Sequence, residues 1–83
     1  MHSTGLDKPL TQHQVRCLLD ELCIDLGFCL PPADAERLAK DHPLNAREFA
    51  DAIYRAEGMD LETRDLGLWR RVRGRIQVHF DAT

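Results

Sequence analysis

The sequence predicts a single all-α domain in which four helices form a compact bundle-like or orthogonal arrangement. Apolar residues recur at helical spacing in four segments, and no segment shows the alternation of apolar and polar residues that is typical of a strand. Gly or Pro residues lie in the links between the segments. The chain has 83 residues, 43% of them apolar and 30% charged, and a net charge of −3. Such a length supports one core and leaves little room for a second domain or a cofactor cavity.

The first ten residues are predicted to form a flexible tail, so that the helical domain spans residues 11–80. The tail contains Gly5 and Pro9, and its few apolar side chains cannot offset the entropy of ordering. The first helix follows Thr11, a good N-cap, and ends at Gly27. Its inward face is Val15, Leu18, Leu19, Leu22, Cys23 and Leu26.

Two helices are predicted in the middle of the chain. The first is short, covers about residues 33–40 and stops before Pro43. The next begins at Asn45, which with Glu48 matches a capping box, and ends at Gly58. The inward residues are Ala35, Leu38 and Ala39 in the first, and Ala46, Phe49, Ala52, Ile53 and Ala56 in the second.

A fourth helix is predicted from a cap at Asp60 or Thr63 to about Phe80. Gly67 and Gly74 lie on its polar side, where each costs about 1 kcal/mol relative to Ala. Its apolar stripe spans about 120° of the helical wheel and comprises Leu68, Trp69, Val72, Ile76 and Phe80.

The number and spacing of the cysteines and the hydropathy of the chain indicate its cellular location. Cys17, Cys23 and Cys29 are an odd number without a typical paired spacing, which argues against a disulfide framework and for a reducing compartment. Apolar runs are far shorter than the roughly 20 residues of a membrane-spanning helix. We therefore expect a cytoplasmic chain with no membrane segment.

Candidate catalytic and metal-binding residues are few. Ser3, the only serine, lies in the predicted tail. His13 and Cys17 stand one helical turn apart, a spacing that suits a cysteine nucleophile or half of a zinc site. The other histidines are scattered, so a surface histidine beside a semi-exposed cysteine is the simpler interpretation. We expect no catalytic residues, no cofactor and no metal, in a chain that is not an enzyme.

The final segment is the basic part of the chain. Residues 1–63 contain 6 Lys and Arg against 12 Asp and Glu, net −6, whereas residues 64–83 contain 5 against 2, net +3. The simplest interpretation is that these arginines neutralise acidic faces of the first and third helices. The alternatives are an acidic protein partner or nucleic acid phosphates. The set comprises Arg64, Arg70, Arg71, Arg73 and Arg75, with Trp69 among them.

Residues 33–57 allow an alternative function, because a short helix, a tight link and a capped second helix resemble a helix-turn-helix. The link contains His42 and Pro43 where Gly is usual, and the second helix exposes both Arg47 and Glu48. A surface of mixed charge attracts phosphates weakly. DNA binding is therefore a disfavoured alternative.

Cys17 and Ile24 lie on the side of the first helix opposite its main apolar face. Either the last helix covers that side, which is the simpler expectation, or a partner does.

We accordingly predict a small non-enzymatic protein–protein interaction module, a bacterial-type adaptor, regulator or self-associating domain. Its partner is an unidentified protein or a second copy of the chain. The predicted contact residues, centred on the arginine-rich C-terminal helix, are Trp69, Arg70, Arg71, Arg73, Arg75, Cys17 and Ile24.

Overall fold

The computed structural model describes residues 9–82, which fold into four helices with no strand. They are α1 (Gln12–Leu26), α2 (Pro32–Lys40), α3 (Ala46–Ala56) and α4 (Leu66–Asp81). The prediction of an all-α four-helix domain is confirmed. The predicted tail falls mostly on residues 1–8, which lie outside the described residues.

The predicted ends of α1 are confirmed by hydrogen bonds. The Gln14 amide donates to the Thr11 hydroxyl at 3.1 Å, and the Thr11 amide donates to the Gln14 side chain at 2.8 Å, which completes a capping box. Gly27 ends the helix with φ of 80°, a left-handed conformation that side chains rarely adopt. The short-range signals in the sequence therefore set both ends of this helix.

In α3 the predicted N-cap at Asn45 is confirmed, but the return hydrogen bond that a capping box adds, from the Asn45 amide to the Glu48 side chain, is not formed, and the buried face of the helix differs from the prediction. The Glu48 amide donates to Asn45 Oδ1 at 2.9 Å, so Asn45 caps α3. The structure buries Ala50 and Tyr54, whereas the predicted Ala52 and Ala56 are half-buried. Tyr54 is covered by Phe28, from the link between α1 and α2, with ring centroids 5.0 Å apart.

The start of α4 corrects the sequence prediction. Neither Asp60 nor Thr63 caps the helix; the cap is Asp65, whose Oδ1 accepts from the Gly67 amide at 2.9 Å. Asp60 instead accepts from the Glu62 amide at 2.9 Å within the preceding link. Several Asp and Thr residues in this stretch suit a cap equally well, so the pattern alone did not choose among them.

The core lies where α4 packs against both α1 and α3, while α2 packs against α1. The predicted stripe of α4 is buried except for Leu68, which is half-buried. The largest fully buried side chains are Tyr54, Phe49, Leu18, Leu22, Ile53, Ile76, Val15 and Val72.

The core also includes Leu10, which the sequence analysis placed in the tail. Its side chain is only 5% exposed. Its amide donates to Nε2 of the buried His42 at 3.0 Å, and its carbonyl oxygen lies 3.2 Å from the same nitrogen. His42 Nδ1 lies 2.7 Å from the Pro43 carbonyl oxygen. The ring packs against both Phe49 and Phe80, which also contact each other. His42 thus holds the chain entering α1 against the link between α2 and α3.

A disulfide joins Cys23, near the end of α1, to Cys29 in the following link. The expectation of no disulfide is wrong. The left-handed turn at Gly27 reverses the chain and brings the two Cα atoms within 4.4 Å despite a separation of six residues. Cysteine content therefore no longer indicates a reducing compartment. None of the helices within residues 9–82 is both long enough and apolar enough to cross a membrane.

Candidate interaction surface

Trp69, predicted as a contact residue, lies in the core. It is 6% exposed, and its indole Nε1 donates to Asp51 Oδ1 of α3 at 2.9 Å. The guanidinium groups of Arg64 and Arg73 lie over its ring, 4.9 and 5.3 Å from the centroid. Two arginines of the basic segment therefore pack on this indole.

Arg75 also acts inside the fold. Its Nη1 donates to Glu21 at 2.9 Å and to Asp25 at 2.7 Å, both on α1, and His79 Nε2 lies 3.3 Å from the second oxygen of Glu21. The hydrogen bond from Arg75, opposed by burial and aided by His79, lowers the pKa of Glu21 below its usual value. Arg75 thus neutralises an acidic face of α1, as the simplest interpretation predicts.

Arg70 and Arg71 differ from Arg64, Arg73 and Arg75, which all have contacts within the fold. Both are exposed, and neither forms a hydrogen bond, an ion pair or a cation–π contact with any residue in the described range 9–82. As consecutive helical residues they point about 100° apart and flank the outer side of α4. Only these two of the predicted arginines present their charge wholly to solvent.

Val78 and Gly74 lie further along α4. Val78 is 63% exposed, and a Cβ built on Gly74 would meet no atom within 4 Å. Both line an open groove of about 780 Å³ between the start of α3 and α4, where Arg47 and Arg73 mix with Glu48. Such mixed charge favours no one class of small charged ligand. The sequence analysis did not select Val78, although its place outside the apolar stripe was a usable signal.

On α1 the structure leaves Cys17 and Ile24 exposed, and Ile24 is 81% exposed. The expectation that the last helix covers this side is wrong, because α4 meets α1 through Glu21 and Asp25 instead. Cys17 Sγ lies 3.6 Å from His13 Nε2, and both side chains are exposed. The described residues contain no group of three or more side chains that could hold a metal ion.

The hairpin at residues 33–57 has a looser arrangement than a packed helix pair. An open groove of about 330 Å³, lined by residues such as Arg37 and Arg55, separates α2 from α3. Each helix instead makes its main contacts elsewhere, α2 with α1 and α3 with α4.

Comparison of the chain with protein-family models, curated proteins and solved structures finds no match. The site is therefore defined by its own geometry. The structure places Arg70 and Arg71 on the outer side of α4 and Cys17 and Ile24 on that of α1, while Trp69, Arg73 and Arg75 serve the fold.

Proposed function

We propose that this chain is a non-enzymatic protein-binding module that recruits an acidic protein surface through the outer side of α4. The observation that carries the proposal is the division among the arginines. Arg73 and Arg75 stabilise the fold, whereas Arg70 and Arg71 are exposed and have no partner within residues 9–82.

The chemistry of the guanidinium group favours a carboxylate-bearing partner. Each arginine offers five donors in a planar fork that matches a carboxylate in a bidentate arrangement. The exposed apolar side chains of Val78 and Ile24 add area that a partner can remove from water. Cys17 lies on the same helix as Ile24 and belongs to the proposed surface.

The test compares two double variants with equal change in charge. Arg70→Glu with Arg71→Glu reverses the proposed surface, whereas Lys40→Glu with Arg55→Glu reverses two exposed charges on α2 and α3. Arg73 is left unchanged because its contact with Trp69 would confound the result. Each tagged variant is used for affinity capture from native cells, followed by quantitative mass spectrometry.

We expect the first variant to lose at least 10-fold of the captured partner, since two charge-assisted contacts become repulsive. The second variant should retain it. Circular dichroism establishes that both remain helical. Equal capture by wild type and the first variant contradicts the proposal.

The same pair of variants addresses the DNA-binding alternative, which no contact in the structure favours. In a helix-turn-helix, Arg55 on the second helix would face the duplex, so the second variant would lose more affinity for duplex DNA than the first. Several phosphate contacts would also give a steep dependence of binding on salt. We expect no salt-dependent binding to duplex DNA in either variant or in wild type.

A further inference from the structure

Ile24 and Val78 are the two most exposed large apolar side chains in residues 9–82, at 81% and 63%. They lie on different helices, α1 and α4, that are in direct contact. Two large aliphatic side chains exposed on one pair of helices offer apolar area that a partner can remove from water.

The ion pairs show that these two side chains share one face. Arg75 reaches Asp25 and Glu21, and His79, one turn later on α4, reaches Glu21, one turn earlier on α1. The two helices are therefore antiparallel.

Each exposed side chain is three residues from an ion-paired one, Ile24 from Glu21 and Val78 from Arg75. Three residues correspond to a rotation of about 60° about the helix axis. In antiparallel helices, equal rotations of this kind turn both side chains to the same side of the pair. Ile24 and Val78 thus lie on one surface, level to within about one helical turn, and we call this surface the α1–α4 outer face.

Charge is distributed unevenly along the α1–α4 outer face. Asp20 lies one turn before Ile24 on α1, and Asp81 lies one turn after Val78 on α4. Because the helices are antiparallel, both carboxylates lie at the same end. Arg70 and Arg71 lie two turns before Val78, at the opposite end. The face therefore has a basic end, an apolar middle and an acidic end.

The acidic end is available for a contact. Asp20 is exposed and forms no ion pair within residues 9–82. Asp81 is also exposed and accepts a hydrogen bond from the neutral Gln77 amide at 2.9 Å, so its charge is not neutralised.

We propose that the occupant of the α1–α4 outer face is a second copy of this chain, related by a two-fold axis that lies in the plane of the interface and is perpendicular to the helices. Such an axis places the apolar middle of one copy on that of the other. It places the basic end of each copy against the acidic end of its partner, which makes the face self-complementary. The inference rests on the proposed function, because Arg70 and Arg71 form the basic end of the α1–α4 outer face. It identifies the protein that these two arginines bind as a second copy of the chain.

The size of the face sets the expected strength. A helix of 16 residues is about 24 Å long, and two adjacent helices are about 20 Å wide, so roughly 500 Å² of each copy is covered in projection. The total of about 1,000 Å² is at the lower limit for a specific interface. The dimer is therefore weak and reversible, and its formation depends on protein concentration.

The first test is the molar mass in solution from sedimentation equilibrium between about 10 µM and about 1 mM. Wild type should rise from 9.5 kDa toward about twice that value. Ile24→Asp and Val78→Asp should each stay monomeric, because they place a carboxylate in the apolar middle. Met59→Asp is the matched control: this side chain is 44% exposed in the link before α4 and outside the face, so the variant should dimerise as wild type does.

The second test reverses the charges at the basic end and at the acidic end of the face, which are expected to pair across the two-fold axis. Arg70→Glu with Arg71→Glu should abolish the rise in mass, and so should Asp20→Arg with Asp81→Arg. Combining all four substitutions restores opposite charges across the two-fold axis and should restore dimerisation to within about 10-fold of wild type. Restoration distinguishes a charge-paired interface from general damage to the fold.

A spin label attached at Met59→Cys in a Cys17→Ser background gives an independent readout, because residue 59 is exposed and lies outside the face. A two-fold dimer gives a single inter-label distance that disappears in Val78→Asp. A wild-type chain that stays at 9.5 kDa up to about 1 mM overturns the second copy as occupant, as does a dimer that survives Val78→Asp. Neither result affects the proposed function, which fails only if capture of partners is independent of Arg70 and Arg71.

Discussion

The indole nitrogen of Trp69 donates a 2.9 Å hydrogen bond to Oδ1 of Asp51, and this bond ties α4 to α3. It connects two residues 18 positions apart in a chain whose other helix contacts are mainly apolar. A buried indole N–H without an acceptor is costly, so Asp51 allows the largest side chain of the basic segment to enter the core. An aromatic residue among arginines is therefore part of the fold here.

The first prediction concerns this bond. Asp51→Ala should lower the free energy of unfolding by about 1–2 kcal/mol, because it leaves the Trp69 N–H unpaired at a nearly buried site. Asp51→Asn retains an amide oxygen as acceptor and should lose less than half as much. Urea denaturation followed by Trp69 fluorescence measures both. Equal stability of the Ala and Asn variants contradicts this account.

The second prediction concerns pH. Since the hydrogen bond from Arg75 lowers the pKa of Glu21 in the folded state, the ionised carboxylate stabilises the fold at neutral pH. That stabilisation is fully present above the pKa of the unfolded chain, about 4.3, and is lost as the pH falls through the lowered folded value. Unfolding free energy should therefore decrease between about pH 5 and pH 3.

Arg75→Gln is the variant that tests this cause. It should lower stability at pH 7 only slightly, because both side chains are more than a third exposed. It should also reduce the loss of stability on acidification. An NMR titration should give a higher pKa for the Glu21 carboxyl in the variant than in wild type. An unchanged value rules out Arg75 as the main cause.

Local signals explain which parts of the fold the sequence predicted. Thr11, Asn45 and Gly27 act within one helical turn of their own positions, so their roles as caps are visible in the sequence and are found in the structure. The burial of Leu10 depends instead on His42, 32 residues away. No short-range pattern contains that contact.

The exposed side of α4 was likewise predictable from local patterns only, and its tertiary contacts were not. A helical wheel identifies the outer side of α4, and it places both Arg71 and Arg75 among the polar residues. Whether an arginine is paired depends on what the neighbouring helix presents: Glu21 and Asp25 meet Arg75, and nothing within residues 9–82 meets Arg71. The sequence therefore shows which arginines lie on the polar side of the helix, and tertiary packing decides which of them are paired.

The third prediction concerns the disulfide. Joining Cys23 to Cys29 closes a loop of about seven residues, which in the chain-entropy model stabilises the fold by about 2 kcal/mol. Cys23→Ser with Cys29→Ser should lower the unfolding midpoint correspondingly, and Cys17→Ser, which removes the exposed free thiol, should not. A thiol assay on the denatured, unreduced protein should detect one group, Cys17, and three after reduction. Three groups before reduction contradict the disulfide.

The fourth prediction is that replacing Gly by Ala has opposite effects on stability at two positions. Gly74→Ala should stabilise the fold by about 1 kcal/mol, because the site is inside a helix and an added Cβ meets no atom within 4 Å. Gly58→Ala should destabilise it by about 1 kcal/mol, because φ is 76° and the left-handed conformation strains a side chain even in open space. Thermal unfolding at about 10 µM, where the proposed dimer is dissociated, measures both. If both variants shift the midpoint in the same direction, then either α4 does not extend through residue 74 or the chain does not turn at Gly58.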